Sequence, residues 1–318
     1  MPTPDMSVWK GRVDTADGAL ALRWHQRVKP LAPDVPPGVT LLGFACDEGV
    51  RRTQGRVGAA GGPKAIRSGL ADLAWHQEHP AYDAGDVVCT SGDLDDSQKQ
   101  LSQAVHDVIA AGHRPLVLGG GHETAWGSYR GLVRAIQGIN PTSKIGIINL
   151  DAHFDLRADT QGSSGTPFAQ IAHWCRENDR LFWYLCLGIA EPANTAALFD
   201  RAKRFEVQWM LDTDLEPLQP DAVFNTLQKF LQMVDILHLS IDLDVLPGAV
   251  MPAVSSPAAH GVPLSTVEAI VAAILGTGRV GLVELVEFNP TLDTDGRAVR
   301  TAARLAWLIA KSWPALLA

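Results

Sequence analysis

The sequence predicts an α/β fold in which a mostly parallel sheet is covered by helices on both faces. Three observations carry this. Apolar runs of strand length recur along the chain, several of them apolar at every position, as strands buried under helices on both sides must be. Between them lie amphipathic stretches of helical spacing, and alternating strand and helix favours parallel pairing. The spacing keeps one regime from residue 40 onward, so a single domain spanning 1–318 is expected.

The first 39 residues are rich in Pro and polar residues, with Pro30, Pro33, Pro36 and Pro37 breaking any regular element. They are expected to form an N-terminal extension packed on the domain. Eight strands are then predicted at 40–45, 86–89, 115–118, 145–150, 182–187, 205–209, 236–243 and 280–286. A helix over 97–111 follows from Leu101, Val105, Val108 and Ile109 at helical intervals. A second over 265–275 follows from Val267, Ile270, Val271 and Ile274, with Ser265 as cap and Glu268 three residues on.

Composition narrows the function. The net charge of −8 opposes a binder of nucleic-acid phosphates. No apolar run approaches the roughly 18–20 residues of a membrane span, and no signal peptide is visible, so a cytoplasmic protein is expected. Cys46, Cys89, Cys175 and Cys186 form no C-x-x-C pair and read as reduced thiols.

Ligands of open parallel sheets bind beyond the carboxyl ends of the strands, and three of those ends carry unusual polar clusters. The first is Gly119-Gly120-Gly121-His122-Glu123. A phosphate cradle is its rival reading, but the glycines are contiguous, no G-x-G-x-x-G follows, and Glu123 would repel a phosphate. The second is Asp151-Ala152-His153-Phe154-Asp155, whose alternate residues would share one side of an extended segment. A lone Asp at a strand end is usually a turn or helix cap, but two flanking a His would repel unless something positive lay between them. The third is Ser240-Ile241-Asp242-Leu243-Asp244, again with two carboxylates sharing a face. His238 lies deeper and reads as a hydrogen-bonded core histidine. Together the clusters offer four Asp and two His. Two divalent cations balance four carboxylates where one cannot, and would return half of the −8 net charge. Oxygen ligands with some imidazole suit Mn²⁺ or Fe²⁺, with Zn²⁺ as a further option. A water shared by two such ions supplies hydroxide near neutral pH, which points to hydrolysis of a carbon–nitrogen or ester-like bond.

In order and spacing these motifs resemble the Gly-Gly-x-His, Asp-Ala-His-x-Asp and Ser-x-Asp-x-Asp elements of the ureohydrolase (arginase/agmatinase) superfamily. The resemblance implies a three-layer α/β/α arginase-like fold on an eight-stranded sheet and two Mn²⁺ per chain. It implies His122, Asp151, Asp155 and Asp242 as ligands of one ion, and Asp151, His153, Asp242 and Asp244 as ligands of the other. Four further segments are similar to the formimidoylglutamase branch: 9–14 with 23–26, 47–52, 55–59, and Phe154 with Arg157. That branch implies hydrolysis of N-formimidoyl-L-glutamate to formamide and L-glutamate by a metal-bridging hydroxide, a step of histidine degradation. A guanidino-acid ureohydrolase releasing urea is the alternative, with a non-catalytic metal-binding subunit ranked lower. Family members are commonly oligomers, so a homo-oligomer is implied.

Within that frame Glu287 matches the family's substrate-facing glutamate, opposite a cationic amidine; Glu284, three residues earlier, is the weaker candidate. Arg157 and Arg56 are candidates for the substrate's carboxylates, with a salt bridge to a site Asp and plain surface solvation as their respective rivals. Ser164 stands where arginases carry a histidine, which disfavours arginase activity. Asp155 is expected to pass a proton to the departing nitrogen.

Overall fold

The structure is a computed structural model describing residues 2–90, 92–215 and 220–314. Among the described residues nine strands form one sheet: β1 (Lys29–Pro30), β2 (Val39–Ala45), β3 (Ala81–Val88), β4 (Arg114–Leu118), β5 (Ile145–Leu150), β6 (Trp183–Ile189), β7 (Gln208–Leu211), β8 (Ile236–Asp242) and β9 (Val280–Val286). Every pairing is parallel, in the order β1-β3-β2-β4-β9-β8-β5-β6-β7. The helices are α1 (Glu48–Arg52), α2 (Gly62–Ala71), α3 (Leu94–Ala110), α4 (Thr124–Ile139), α5 (Pro167–Glu177), α6 (Ala196–Arg204), α7 (Pro220–Leu231), α8 (Leu264–Leu275) and α9 (Arg297–Ser312). Among the described residues no helix is long and apolar enough to cross a membrane.

Successive strand residues feed opposite faces, and two cores result. Leu41 joins the one beneath α2, α7, α8 and α9, while Leu42 joins the one beneath α3, α4, α5 and α6. This is the three-layer arrangement expected. The central strands β4, β5 and β9 are buried at every position, which is why their sequences are apolar runs and not alternations.

Several boundaries differ from the sequence reading, each for a local reason. The ninth strand, β1, contains Pro30 and is followed by Pro33. It sits at a sheet edge where the missing N–H of Pro30 breaks no ladder. β3 begins five residues before the predicted run because Asp83, which interrupts it, is neutralised. Arg67 from α2 approaches Asp83 at 2.9 Å and Asp86 at 2.6 Å, and the indole of Trp9 donates to Asp83 at 2.8 Å. Those contacts also seat the N-terminal segment, where Trp9 stacks on the fully buried Trp24. The predicted 205–209 strand starts only at Gln208, since Phe205 caps the end of α6 and Glu206 takes a left-handed φ of 56°. Helix α8 starts at Leu264 after Pro263, so Ser265 is not its cap, and Glu268 pairs with Arg304 of α9 at 2.5 Å. Helix α3 starts at Leu94, capped by Asp93, which accepts from the Asp96 N–H.

The order of the sheet explains where a site can form. The chain lays down β1 to β4 on one side, jumps to β5–β7 on the other, and returns to fill the gap with β8 and β9. The crevice lies beyond the carboxyl ends at this switch. All three polar clusters, and Glu287, follow the four central strands β4, β9, β8 and β5.

Gly120 closes the turn after β4. Its carbonyl accepts from the Glu287 N–H at 2.7 Å, and a Cβ at Gly120 would lie 1.5 Å from the Cys46 carbonyl oxygen. The glycines therefore serve backbone packing between β2 and β9. Gly120→Ala should destabilise the protein by about 3 kcal/mol, the upper end of overpacking costs, as measured by denaturant unfolding.

Candidate active site

The three clusters meet in one buried group. His122 follows β4, and its Nδ1 lies 3.2 Å from Asp151, 3.0 Å from Asp155 and 3.1 Å from Asp242. His153 lies with its Nδ1 3.0 Å from Asp244 and 3.6 Å from Asp151. The six side chains thus form two adjoining sets, His122/Asp151/Asp155/Asp242 and Asp151/His153/Asp244, with Asp151 common to both. Asp242, which the resemblance gives to both ions, groups here with the first set. Its Oδ2 faces His122, while its Oδ1 is occupied by the Asp244 N–H at 2.8 Å.

Register explains the meeting. Leu150 of β5 pairs with Ile241 of β8, so Asp151 and Asp242 leave neighbouring strands side by side. The later residues of each motif converge by turns and not by the strand alternation expected. Residues 151–155 are not a strand; the His153 N–H donates to Asp151 Oδ1 at 2.6 Å, and Asp155 adopts a left-handed φ of 48°. Asp242 ends β8 and accepts from the Asp244 N–H across the same i to i+2 turn. A left-handed non-glycine residue costs about 1–2 kcal/mol. Among the described residues two of the six are Asp155 and Glu287, the latter at φ 68°. Strain is thus held at the two residues expected to act on substrate.

Electrostatically the cluster is short of positive charge. Burial, followed by the neighbouring carboxylates, raises the pKa of Asp242 and of Asp155. Burial also raises Asp244, with Asp151 adding to it against His153. Burial opposes the low pKa of Asp151, but the hydrogen bonds and charges of His122 and His153 outweigh it. His122 and His153 are held above the ordinary imidazole range: burial opposes this, and the surrounding carboxylates overcome it. His122 Nδ1 is buried without a hydrogen bond even though three carboxylates surround it. Oxygen and imidazole donors converging on a region of unbalanced negative charge fit divalent cations of the Mn²⁺, Fe²⁺ or Zn²⁺ type.

Beneath this layer lies a second polar row; the sequence names its Ser240 and Glu284 but not their pairing, and Glu284, the weaker substrate-facing candidate, lies outside the cavity lining and bonds Ser240 instead. Asn149, Ser240 and Glu284 are in register across β5, β8 and β9, two residues below Asp151 and Asp242 on the first two of those strands. Glu284 is fully buried, and burial would raise its pKa, but His238 at 3.0 Å and the hydroxyl of Ser128 keep it low. The Ser240 hydroxyl donates to Glu284 at 2.8 Å, so its oxygen accepts from His122 Nε2–H at 2.9 Å. With Nε2 fixed as the donor to Ser240, Nδ1 is the nitrogen turned to the carboxylates and open to a bound cation. Asn149 donates to Asp151 Oδ2 at 2.9 Å. A Glu in an otherwise apolar strand was the available signal for this row. His238 is a fully buried core residue, as expected, but among the described residues neither ring nitrogen makes a hydrogen bond; its Nε2 lies in ion-pair reach of Glu284.

A cavity of about 250 Å³ opens onto the cluster, lined by His153, Asp155, Arg157, Ser164, Asp242, Asp244, Ser255 and Glu287 among others. Glu287 Oε1 accepts from the His122 N–H at 2.9 Å, and its buried Oε2 has no partner. Burial, with Glu123 nearby, pushes the Glu287 carboxyl up to about 8. Arg157 is exposed, and among the described residues its guanidinium makes no ion pair, so the rival pairing with a site Asp is not formed. Its side chain lies against Gly165, whose carbonyl accepts from the Arg157 N–H at 2.8 Å. Ser164 sits 3.2 Å from Thr53 Oγ1. Arg56 departs from its expected role. It lies outside the lining, and its guanidinium donates to the carbonyls of Val254 and Ser255.

Ser240→Ala should leave His122 Nε2 without its acceptor. We expect Mn²⁺ affinity to fall about 10- to 100-fold, measured by calorimetric titration of the metal-stripped protein.

Comparison with known proteins accords with this geometry. The model of the arginase family matches residues 37–311. A formimidoylglutamase of Chromobacterium violaceum is 54% identical over 96% of this chain and 98% of its own, and one of Aeromonas hydrophila is 53% identical with the same coverage. A Trypanosoma cruzi formiminoglutamase solved with Mn²⁺ superposes with a TM-score of 0.76 at 26% identity, covering 87% of this chain and 95% of that one. With its parallel sheet, its paired Asp/His clusters and relatives alike over nearly their whole length, the chain belongs to the arginase family.

Proposed function

We propose that this chain hydrolyses the formimidoyl C–N bond of N-formimidoyl-L-glutamate, giving formamide and L-glutamate in histidine degradation. The observation that carries this is the pairing of a carboxylate and a free guanidinium in one cavity. Glu287 offers an unpartnered Oε2 for the cationic amidine, and Arg157 a guanidinium for a carboxylate. The relatives named formimidoylglutamase, about half identical to this chain, support the same substrate. Ser164 in place of a histidine supports it against arginine hydrolysis.

His122, Asp151, Asp155 and Asp242 would hold one cation, and Asp151, His153 and Asp244 the other, with two Mn²⁺ as the proposed occupants. When bound, the two ions balance the carboxylates and acidify water near neutral pH. The protein's own groups do the rest. Glu287 orients the amidine so that its carbon faces the cluster, and stabilises the positive charge on its nitrogens. Arg157, with Ser164 beside it, fixes a substrate carboxylate. Water adds to the formimidoyl carbon, and the bond from that carbon to the glutamate nitrogen breaks. Asp155 faces both the cavity and the cluster, and is placed to carry the water's proton to that nitrogen. A cytoplasmic setting suits this chemistry.

The test is an assay of formamide and glutamate release from N-formimidoyl-L-glutamate beside urea release from guanidino acids such as guanidinobutyrate. Formamide and glutamate are expected to dominate; urea as the main product would overturn the proposal. Glu287→Gln should lower kcat/KM about 100-fold or more while bound metal, read by elemental analysis, stays unchanged.

A further inference from the structure

The proposed substrate carries two carboxylates, yet Arg157 is the only Arg or Lys among the described residues lining the cavity. We infer that the hydroxyl of Ser255 is the donor for the second carboxylate, held in place by Arg56. This rests on the substrate assignment above and deepens it.

Ser255 reaches the cavity from the segment after β8, far in sequence from Arg157. Its Oγ accepts the backbone N–H of Arg56 at 3.0 Å, so its own proton points elsewhere, and among the described residues it finds no acceptor. On a cavity-lining residue, a hydroxyl whose oxygen already accepts from the protein keeps its proton to offer to an anion. The approach depends on Gly55, where a Cβ would lie 2.6 Å from that Oγ. The segment is braced on several sides. Arg56 Nε donates to the Ser255 carbonyl at 3.0 Å, and its Nη2 to the Val254 carbonyl. Fully buried Asn289 donates to the carbonyls of Arg56 and Val57 at 2.9 Å each, while the Asn289 N–H donates to the Ala253 carbonyl at 2.8 Å. Asn289 lies two residues after Glu287. The hydroxyl is thus fixed relative to the carboxylate that orients the amidine, and the donor is organised before substrate arrives. Arg56 is a positioning residue in this scheme; its charge is spent on the loop.

The test compares Ser255→Ala, Arg157→Gln and the double variant on the Mn²⁺-loaded protein. Two readouts are used: KM and kcat for N-formimidoyl-L-glutamate, and the Kd of the product L-glutamate by calorimetry. Ser255→Ala should raise both KM and Kd about tenfold, as expected for a lost hydrogen bond to a charged group, with kcat within about twofold of wild type. The single-variant effects should multiply in the double variant, as for contacts to two separate carboxylates. Unchanged KM and Kd in Ser255→Ala would overturn the inference. So would a fall in kcat and metal content at constant Kd, which marks a structural role. A double variant no worse than Arg157→Gln places both residues on one carboxylate and overturns it too. If the wild type binds L-glutamate, and Ser255→Ala weakens that binding, while only guanidino acids are turned over, the subsite stands and the substrate assignment fails. A wild type that binds no L-glutamate overturns the subsite itself.

Discussion

Four carboxylates cannot share a buried crevice unless positive charge is brought to them, and most of this structure follows from that constraint. Asp151, Asp242 and Asp244 are buried, and Asp155 reaches the same imidazole. Two histidines supply only part of the compensation. Taking a single unpaired carboxylate out of water costs several kcal/mol. The sheet therefore holds in place an arrangement that its own residues do not neutralise, and the deficit is what makes the site a receptor for cations.

The parallel register does the holding. Strands about 4.8 Å apart deliver Asp151 and Asp242 from neighbouring ends, and the i to i+2 turns then fold His153 and Asp244 back beside them. One layer down, Glu284, Ser240 and Asn149 lock the orientation of His122 and Asp151. Gly120 joins β4 to β9, so that Glu287 leaves its strand against the His122 backbone. The groups proposed to face substrate sit on loops tied back to this frame, and in that proposal the division separates metal holding from substrate choice.

Much of this was legible in the sequence because it is local. Both-face apolar runs mark β4, β5, β8 and β9, and the polar residues that follow them are conspicuous against that background. The six clustered Asp and His could be named from spacing alone, although the turns that gather them could not. What escaped notice depends on pairing across long separations. Ser240 and Glu284 are 44 residues apart and meet only through the β8–β9 register. Arg56 and Ser255 are 199 apart and meet through a loop. Arg56 looked like a free cation because nothing nearby in sequence shows the carbonyls it is spent on. The edge strand β1 was hidden by prolines that an interior strand would not tolerate.

The claim on which the rest stands is that the cluster takes up two ions which share Asp151. Elemental analysis of purified protein after Mn²⁺ loading and desalting tests it most directly, read beside the Asp151→Ala variant. Two equivalents of Mn²⁺ per wild-type chain, with both lost together in the variant, is the predicted result. One equivalent or none in the wild type, or a variant that keeps its metal, would contradict it.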